Sequence, residues 1–397
     1  MTAEIARCPP ELGPAAFAAF ESRLRQEPAD PARHRLRQFP NGSGTSDVAD
    51  DEQLLNLCRI AVESGAGMES ITKNRQSPIV LREMIARAYG ADRVPEGEDW
   101  ARELGHGWFN VAYRIRLRDG YEAVLKIAPP SEVEVMTYER GAMGVELAAV
   151  DLIGGLADVP VARVDFADQS HELCDADWFS MPFIEGDNLA LIRADLPARQ
   201  EADYKAQVGA LNRRINSVRG PAFGPLAGPG DASWRRVFTG MVEEVLSDGE
   251  RRGVELGRDY EAVRAVLAEH AAALDEVTEP RLVEWDLWDG NVLVRDGAIA
   301  GIVDHERAFY GDPLIEVGFA GTQMPDAFGD STHFMRGYGR PGLTESETVR
   351  RRLYCLHLAL VMVIETAYRG HTDPGPYEWA RERLTEIMTL ISARAAS

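Results

Sequence analysis

The chain has 397 residues with 43 basic against 64 acidic, a net charge of −21, and that balance excludes a nucleic-acid-binding role built on a basic surface. Its cysteines, Cys8, Cys58, Cys174 and Cys355, are scattered with no Cys-x-x-Cys pair, which suits reduced thiols in a cytoplasmic protein rather than a disulfide or zinc framework. The longest apolar runs, such as Leu358–Ile364, are too short to span a bilayer, and no early segment has the form of a secretion signal.

Residues 1–50 are rich in Pro, Ala and Arg, with helical potential over Pro14–Gln26 and a polar linker around Asn41–Ser46. Amphipathic helices are expected over Asp50–Gly65 and Pro78–Tyr89, and we take residues 1–95 as a leader with helical extension. A glycine-bearing loop follows, Gly105-His106-Gly107-Trp108-Phe109-Asn110, and then Val111–Leu117 alternates like a half-exposed strand. After the turn Arg118-Asp119-Gly120, the strand Tyr121–Ala128 carries Lys126 inside an apolar run. A lysine there requires an anionic partner. Glu139 and Glu146 lie seven residues apart on one helical face. Gly141 and Gly144 weaken the first half of that helix, so Glu146 is the preferred partner. Strands are expected over Val159–Phe166 and Trp178–Ile184, which close a small lobe over 96–185. From Gly186 the pattern is helical: Ala194–Val218, Trp234–Leu246, Tyr260–Val277, Glu345–Arg369 and Pro376–Ala393.

The chemistry concentrates in Glu284-Trp285-Asp286-Leu287-Trp288-Asp289-Gly290-Asn291. Asp286 precedes Asn291 by five residues, and the following run turns at Asp296-Gly297, a strong hairpin signal, before closing on Asp304. The hairpin brings Asp304 back beside Asn291. This is the spacing with which kinase-like phosphotransferases assemble a base and two magnesium ligands. A carboxylate can take a hydroxyl proton, and hard oxygen ligands suit Mg²⁺. Lys126, Glu146 and the glycine loop satisfy the demand such a site makes upstream. The segment Met181–Glu185 is then the hinge facing the nucleotide base.

Residues 282–320, ending in Gly311-Asp312-Pro313, resemble the aminoglycoside phosphotransferase family, the small-molecule branch of the protein-kinase fold. The resemblance extends over roughly 98–397 and is specific at the catalytic loop. It implies a two-lobed α/β (α+β) fold with a small antiparallel-sheet nucleotide lobe and a larger, mostly helical catalytic lobe over 186–397. It also implies ATP and Mg²⁺ as cofactors and a hydroxylated small molecule as acceptor. Asp286 is the expected catalytic base, and Asn291 and Asp304 are the expected metal ligands. Gly105, Gly107, Asn110, Lys126, Glu146, Met181 and Phe183 are expected to bind nucleotide. Two departures stand out: Glu284 where the family has His, and Glu316 where it often has Asp. A peptide kinase would use the same core, and Glu284 also motivates a non-catalytic nucleotide-binding scaffold.

Overall fold

Ser77-Pro78 suits a helix start, because serine can cap and proline has no N–H to leave unpaired. In the computed structural model of the protein, which describes residues 70–105 and 109–393, the Ser77 hydroxyl accepts the Val80 N–H and opens α1 (Pro78–Tyr89). The helices expected at Pro14–Gln26 and Asp50–Gly65 lie outside the described residues.

The small lobe contains β1 (Ala101–Glu103), β2 (Val111–Arg116), β3 (Glu122–Ile127), α2 (Ala142–Gly154), β4 (Phe166–Asp168) and β5 (Trp178–Pro182). Its sheet is antiparallel in the order β1-β2-β3-β5-β4. Successive strand residues face opposite sides. Val111, Tyr113, Ile115, Leu125 and Ile127 therefore form one core with Leu81, Met84 and Ile85 of α1, while Lys126 faces the other way. The cover for this sheet thus comes from upstream of the expected boundary at residue 96. The strand expected over 159–166 begins only at Phe166. Pro160 has no N–H for a ladder, and its carbonyl instead accepts the Ile302 N–H at 2.9 Å.

The large lobe follows with β6 (Asp187–Asn188), α3 (Leu189–Ile192), α4 (Ala198–Ile215), β7 (Gly224–Pro225), α5 (Trp234–Arg252), α6 (Tyr260–His270), β8 (Arg281–Val283), β9 (Val292–Arg295), β10 (Ala298–Ile302), β11 (Phe309–Gly311), α7 (Pro325–Phe328), α8 (Thr332–Tyr338), α9 (Glu345–Arg369) and α10 (Gly375–Ser392). The β9–β10 turn has φ of 53° at Asp296 and 81° at Gly297, the paired positive values that an Asp-Gly hairpin turn requires. Helix α9 starts with a reciprocal capping box between Thr344 and Glu347 and stops at Gly370, φ 67°. Its buried face packs with Trp234 and Phe238 of α5 in one core, where the Trp234 indole donates to the Tyr354 hydroxyl at 2.7 Å. Among the described residues no helix is long and apolar enough to cross a membrane.

Met84 is fully buried beneath the small-lobe sheet. Met84→Ala should cost about 2–5 kcal/mol of stability, read by urea denaturation. A variant as stable as the parent would contradict the inclusion of α1 in this core.

Candidate active site

Two positions flanking the β9–β10 hairpin hold a backbone conformation that ordinary residues avoid. Trp285 has φ 61° and Asp304 has φ 63°; left-handed backbone at non-glycine residues costs on the order of 1–3 kcal/mol and concentrates at functional sites. The Val303 N–H donates to the Asn291 carbonyl at 3.0 Å, which joins the hairpin's two ends. The Asn291 amide nitrogen donates to the Asp286 carbonyl at 2.9 Å, leaving the amide oxygen as its acceptor. Asp286, Asn291 and Asp304 are thereby brought together as the spacing predicts.

Lys126 reaches this cluster from β3. Its ammonium, 5% exposed, donates to Glu146 at 2.7 Å, Asp304 at 2.5 Å and Glu306 at 3.2 Å. Burial alone would lower the lysine pKa, but the carboxylates of Asp304, Glu146 and Glu306 outweigh it and hold the group charged. Burial likewise pushes Glu146 up to about 7 against the pull of Lys126. At Asp304 burial is overcome by Lys126, with His305 and Arg307 assisting, so its carboxyl stays below the usual range. Of the two glutamates weighed from the sequence, Glu146 pairs with Lys126, whereas Glu139 pairs with Arg369. Glu306 was not anticipated; a carboxylate two residues after Asp304 was the available signal. The Asn110 amide nitrogen donates to Glu306, so the end of the glycine loop also meets this site. Gly105 is described and exposed, whereas Gly107 lies outside the described residues.

Glu284 finds its partner in His305. Glu284 Oε2 lies 2.7 Å from His305 Nδ1, and His305 Nε2 lies 3.3 Å from the Ile302 carbonyl. Both ring nitrogens face acceptors, the arrangement of a doubly protonated imidazolium. Burial opposes that charge, yet Glu284 outweighs it and raises the His305 pKa above its ordinary 6.5. The Glu284 N–H donates to Glu316 at 3.0 Å, and the Asn216 amide adds a bond at 2.8 Å. Burial pushes the Glu316 carboxyl up to about 7. The two departures from the resembled pattern, Glu284 and Glu316, are thus joined in one buried brace beside Asp286.

On the other side of Asp286 stands Arg307, 3.8 Å away and 3.5 Å from Glu365. Arg369 continues the chain to Glu365 at 3.7 Å and to Glu139, and it lies over the Phe109 ring at 5.0 Å. Enclosure in this cleft pushes the Asp286 carboxyl up to about 6, with Arg307 opposing and Asp304, Glu365 and Glu306 adding. Glu365 of α9, 3.5 Å from Arg307, faces the same cleft. Tyr368 is buried and donates to the Asp248 carbonyl at 3.1 Å, and Asp373 accepts the Gly375 N–H.

At the hinge, the Phe183 N–H is taken by the Glu122 carbonyl at 3.0 Å, and Met181 pairs with Val124. Alternation along an antiparallel pair turns the Pro182 carbonyl and the Ile184 N–H to the opposite edge. Those two backbone groups lie outside the β3–β5 ladder that takes up Met181 and Phe183.

Residues 100–351 match the sequence profile described as the phosphotransferase enzyme family. Aminoglycoside phosphotransferase APH(4)-Ia, solved with ADP and hygromycin B, is 18% identical, with 78% of this chain and 97% of that chain covered at a TM-score of 0.55. APH(2")-IIa, solved with streptomycin and ATP, is 14% identical over 80% of this chain and 99% of that chain, at a TM-score of 0.55. A subtelomeric hrmA-associated cluster protein of Aspergillus fumigatus is 24% identical over 165 residues, 39% of this chain. The chain spans only 32% of that fungal relative's length.

Removing one member of a buried ion pair typically costs about 3–5 kcal/mol, and Glu284→Ala and His305→Ala should each lose that much in urea denaturation. A double-mutant cycle should return a coupling of about 0.5–3 kcal/mol. Because folding raises the His305 pKa, the pair's stabilisation is complete below 6.5 and is lost as pH climbs through the raised value. The coupling should therefore shrink in alkaline buffer. Additive losses at every pH would contradict the brace.

Proposed function

The chain belongs to the phosphotransferase enzyme family, and on that premise we propose that it transfers the γ-phosphoryl group of ATP to a hydroxyl of a small molecule. The observation that carries this reading is Lys126 bonded at once to Glu146 and to Asp304. A phosphate-gripping lysine, its helix glutamate and the metal-binding aspartate must converge for phosphoryl transfer.

Each residue has a stated part in the reaction. Asp286 orients the acceptor hydroxyl and takes its proton. Lys126 neutralises phosphate charge, and Glu146 holds the lysine in position. The glycine loop, including Gly105, Gly107 and Asn110, covers the phosphates, while the hinge at 181–184 receives the base through its backbone. Arg307 sits where negative charge accumulates during transfer and also steadies Asp286.

The donor set fits Mg²⁺. Asp304 is held ionised and the Asn291 amide oxygen is left as an acceptor, a pair of hard oxygen ligands. Among the described residues no three side chains of His, Cys, Asp and Glu form an all-protein metal cage, and Mg²⁺ characteristically binds through one or two protein oxygens together with substrate phosphates. When bound, the ion supplies charge neutralisation on the phosphates. Asn291 and Asp304 would hold it.

For the acceptor we propose an aminoglycoside or another hydroxylated antibiotic or metabolite. The solved aminoglycoside phosphotransferases of the same fold support this class, as does the acidic balance of the chain, which favours a cationic acceptor. A coupled ADP-release screen over aminoglycosides, nucleoside antibiotics, sugars and peptides tests it; turnover on peptides alone would sink the small-molecule reading.

Asp286→Asn keeps the shape of the side chain but cannot take a proton, so turnover should fall by about 10²–10⁴-fold with little change in ATP affinity. With the Asp286 pKa near 6, the ionised base prevails above that value. The logarithm of kcat/KM should fall with unit slope as pH drops below it, and that limb should be missing in Asp286→Asn. Near-full turnover by Asp286→Asn would show that another group serves as base.

A further inference from the structure

Residues 70–77 precede the matched region at residue 100, and they are anchored at several points. The Ile71 N–H donates to the Arg369 carbonyl at the end of α9, at 3.3 Å. Ser70 and Thr72, both buried, share a hydroxyl bond of 2.8 Å. Arg75 pairs with Glu103 at 2.8 Å, and the Gln76 N–H donates to the Tyr113 hydroxyl at 3.2 Å. This strap runs from the large lobe to the glycine loop and sets Lys73 between fixed points.

The Lys73 ammonium donates to the Asn110 carbonyl at 2.8 Å. Asn110 in turn donates its side-chain amide to Glu306, which lies 3.2 Å from the Lys126 ammonium. Lys73 is therefore three hydrogen bonds, through Asn110 and Glu306, from the lysine that grips phosphate in the proposed reaction. Burial lowers the Lys73 pKa; the carboxylate of Glu103 and, less strongly, that of Asp304 pull it back up, while Arg75 and Lys126 push it further down. Among the described residues no carboxylate lies within ion-pair distance of it. An ammonium has three donors, and the Asn110 carbonyl uses one.

Resting on the phosphotransferase reading above, we propose that Lys73 is a second phosphate-binding cation of this site, delivered by the 70–77 strap to the end of the glycine loop. Two lysines then face the triphosphate, one from β3 beneath the loop and one from the strap at its end. The strap also makes the phosphate grip depend on the large lobe, because the same segment is bonded to the end of α9.

The test uses the full chain, a non-hydrolysable ATP analogue with Mg²⁺, and adenosine as a ligand without phosphates, all by titration calorimetry. Lys73→Gln keeps a donor for the Asn110 carbonyl but removes the charge. Its affinity for the analogue should fall about 10- to 100-fold, the worth of a charge-assisted hydrogen bond, with adenosine affinity unchanged. Lys73→Arg keeps the charge and should recover most of the loss; if the glutamine variant does not fold, Lys73→Met takes its place, with the same selective loss of analogue binding expected. Unchanged analogue binding in Lys73→Gln, or equal loss of analogue and adenosine, would reduce Lys73 to a structural brace and overturn the proposal. Loss in Lys126→Met without loss in Lys73→Gln would overturn it while leaving the phosphotransferase reading intact. A parent that binds neither ligand would remove both.

Discussion

One buried ammonium organises this molecule. Lys126 draws together a glutamate from α2, an aspartate at the end of the β9–β10 hairpin and Glu306 beyond it. A single lysine among three carboxylates leaves an excess of negative charge in a cleft, and burial makes that excess costly. The pKa of Glu146, pushed up to about 7, records the cost. A site of this composition would gain from a bound cation such as Mg²⁺ between Asp304 and the groups around it. The small-lobe sheet, α2 and the hairpin are arranged so that three segments far apart in sequence supply the charges that meet at one point.

The backbone around that point is under tension elsewhere in the loop. Trp285 and Asp304 both sit in the left-handed region, and conformations of this kind persist only where the surroundings over-determine them. Here the surroundings include the Glu284–His305 pair, the bond from the Glu284 N–H to Glu316, and the packing of Trp285 against His357 at 5.0 Å between ring centroids. An acid and an imidazolium joined across the hairpin brace the loop at this point. The pair ties the residue two before Asp286 to the residue after Asp304, so the two aspartates are held relative to each other.

How much of this could be read beforehand depended on sequence distance. Asp286 and Asn291 are five residues apart, and the Asp296-Gly297 turn returns Asp304 within one hairpin; local geometry alone brings them together. Helix α9 was legible from its spacing and its Gly370 stop. The strap was not, since residues 70–77 have neither helical nor strand periodicity and their anchors elsewhere in the chain lie 28 residues and more away. Arg307, Glu365 and Arg369 form a chain that exists only after α9 folds against the catalytic loop. Glu284 looked anomalous alone, and its partner His305 lies 21 residues further along the chain. Their pairing follows from the topology, in which β8 and the β9–β10 hairpin end side by side. The irregular stretch at 159–164 was overread as strand because its apolar residues alternate, while Pro160 denied it a ladder.

The central claim is that the Lys126–Asp304–Asn291 cluster is a Mg²⁺-dependent triphosphate site. The most direct measurement is the affinity of the intact protein for ATP by calorimetry in Mg²⁺ and again in excess chelator, for the parent and for Asp304→Ala. The account predicts that the parent binds at least about tenfold more tightly with Mg²⁺, about 1.4 kcal/mol, and that this difference disappears in the variant. Equal affinity with and without the metal, or an undiminished metal effect in Asp304→Ala, would contradict it.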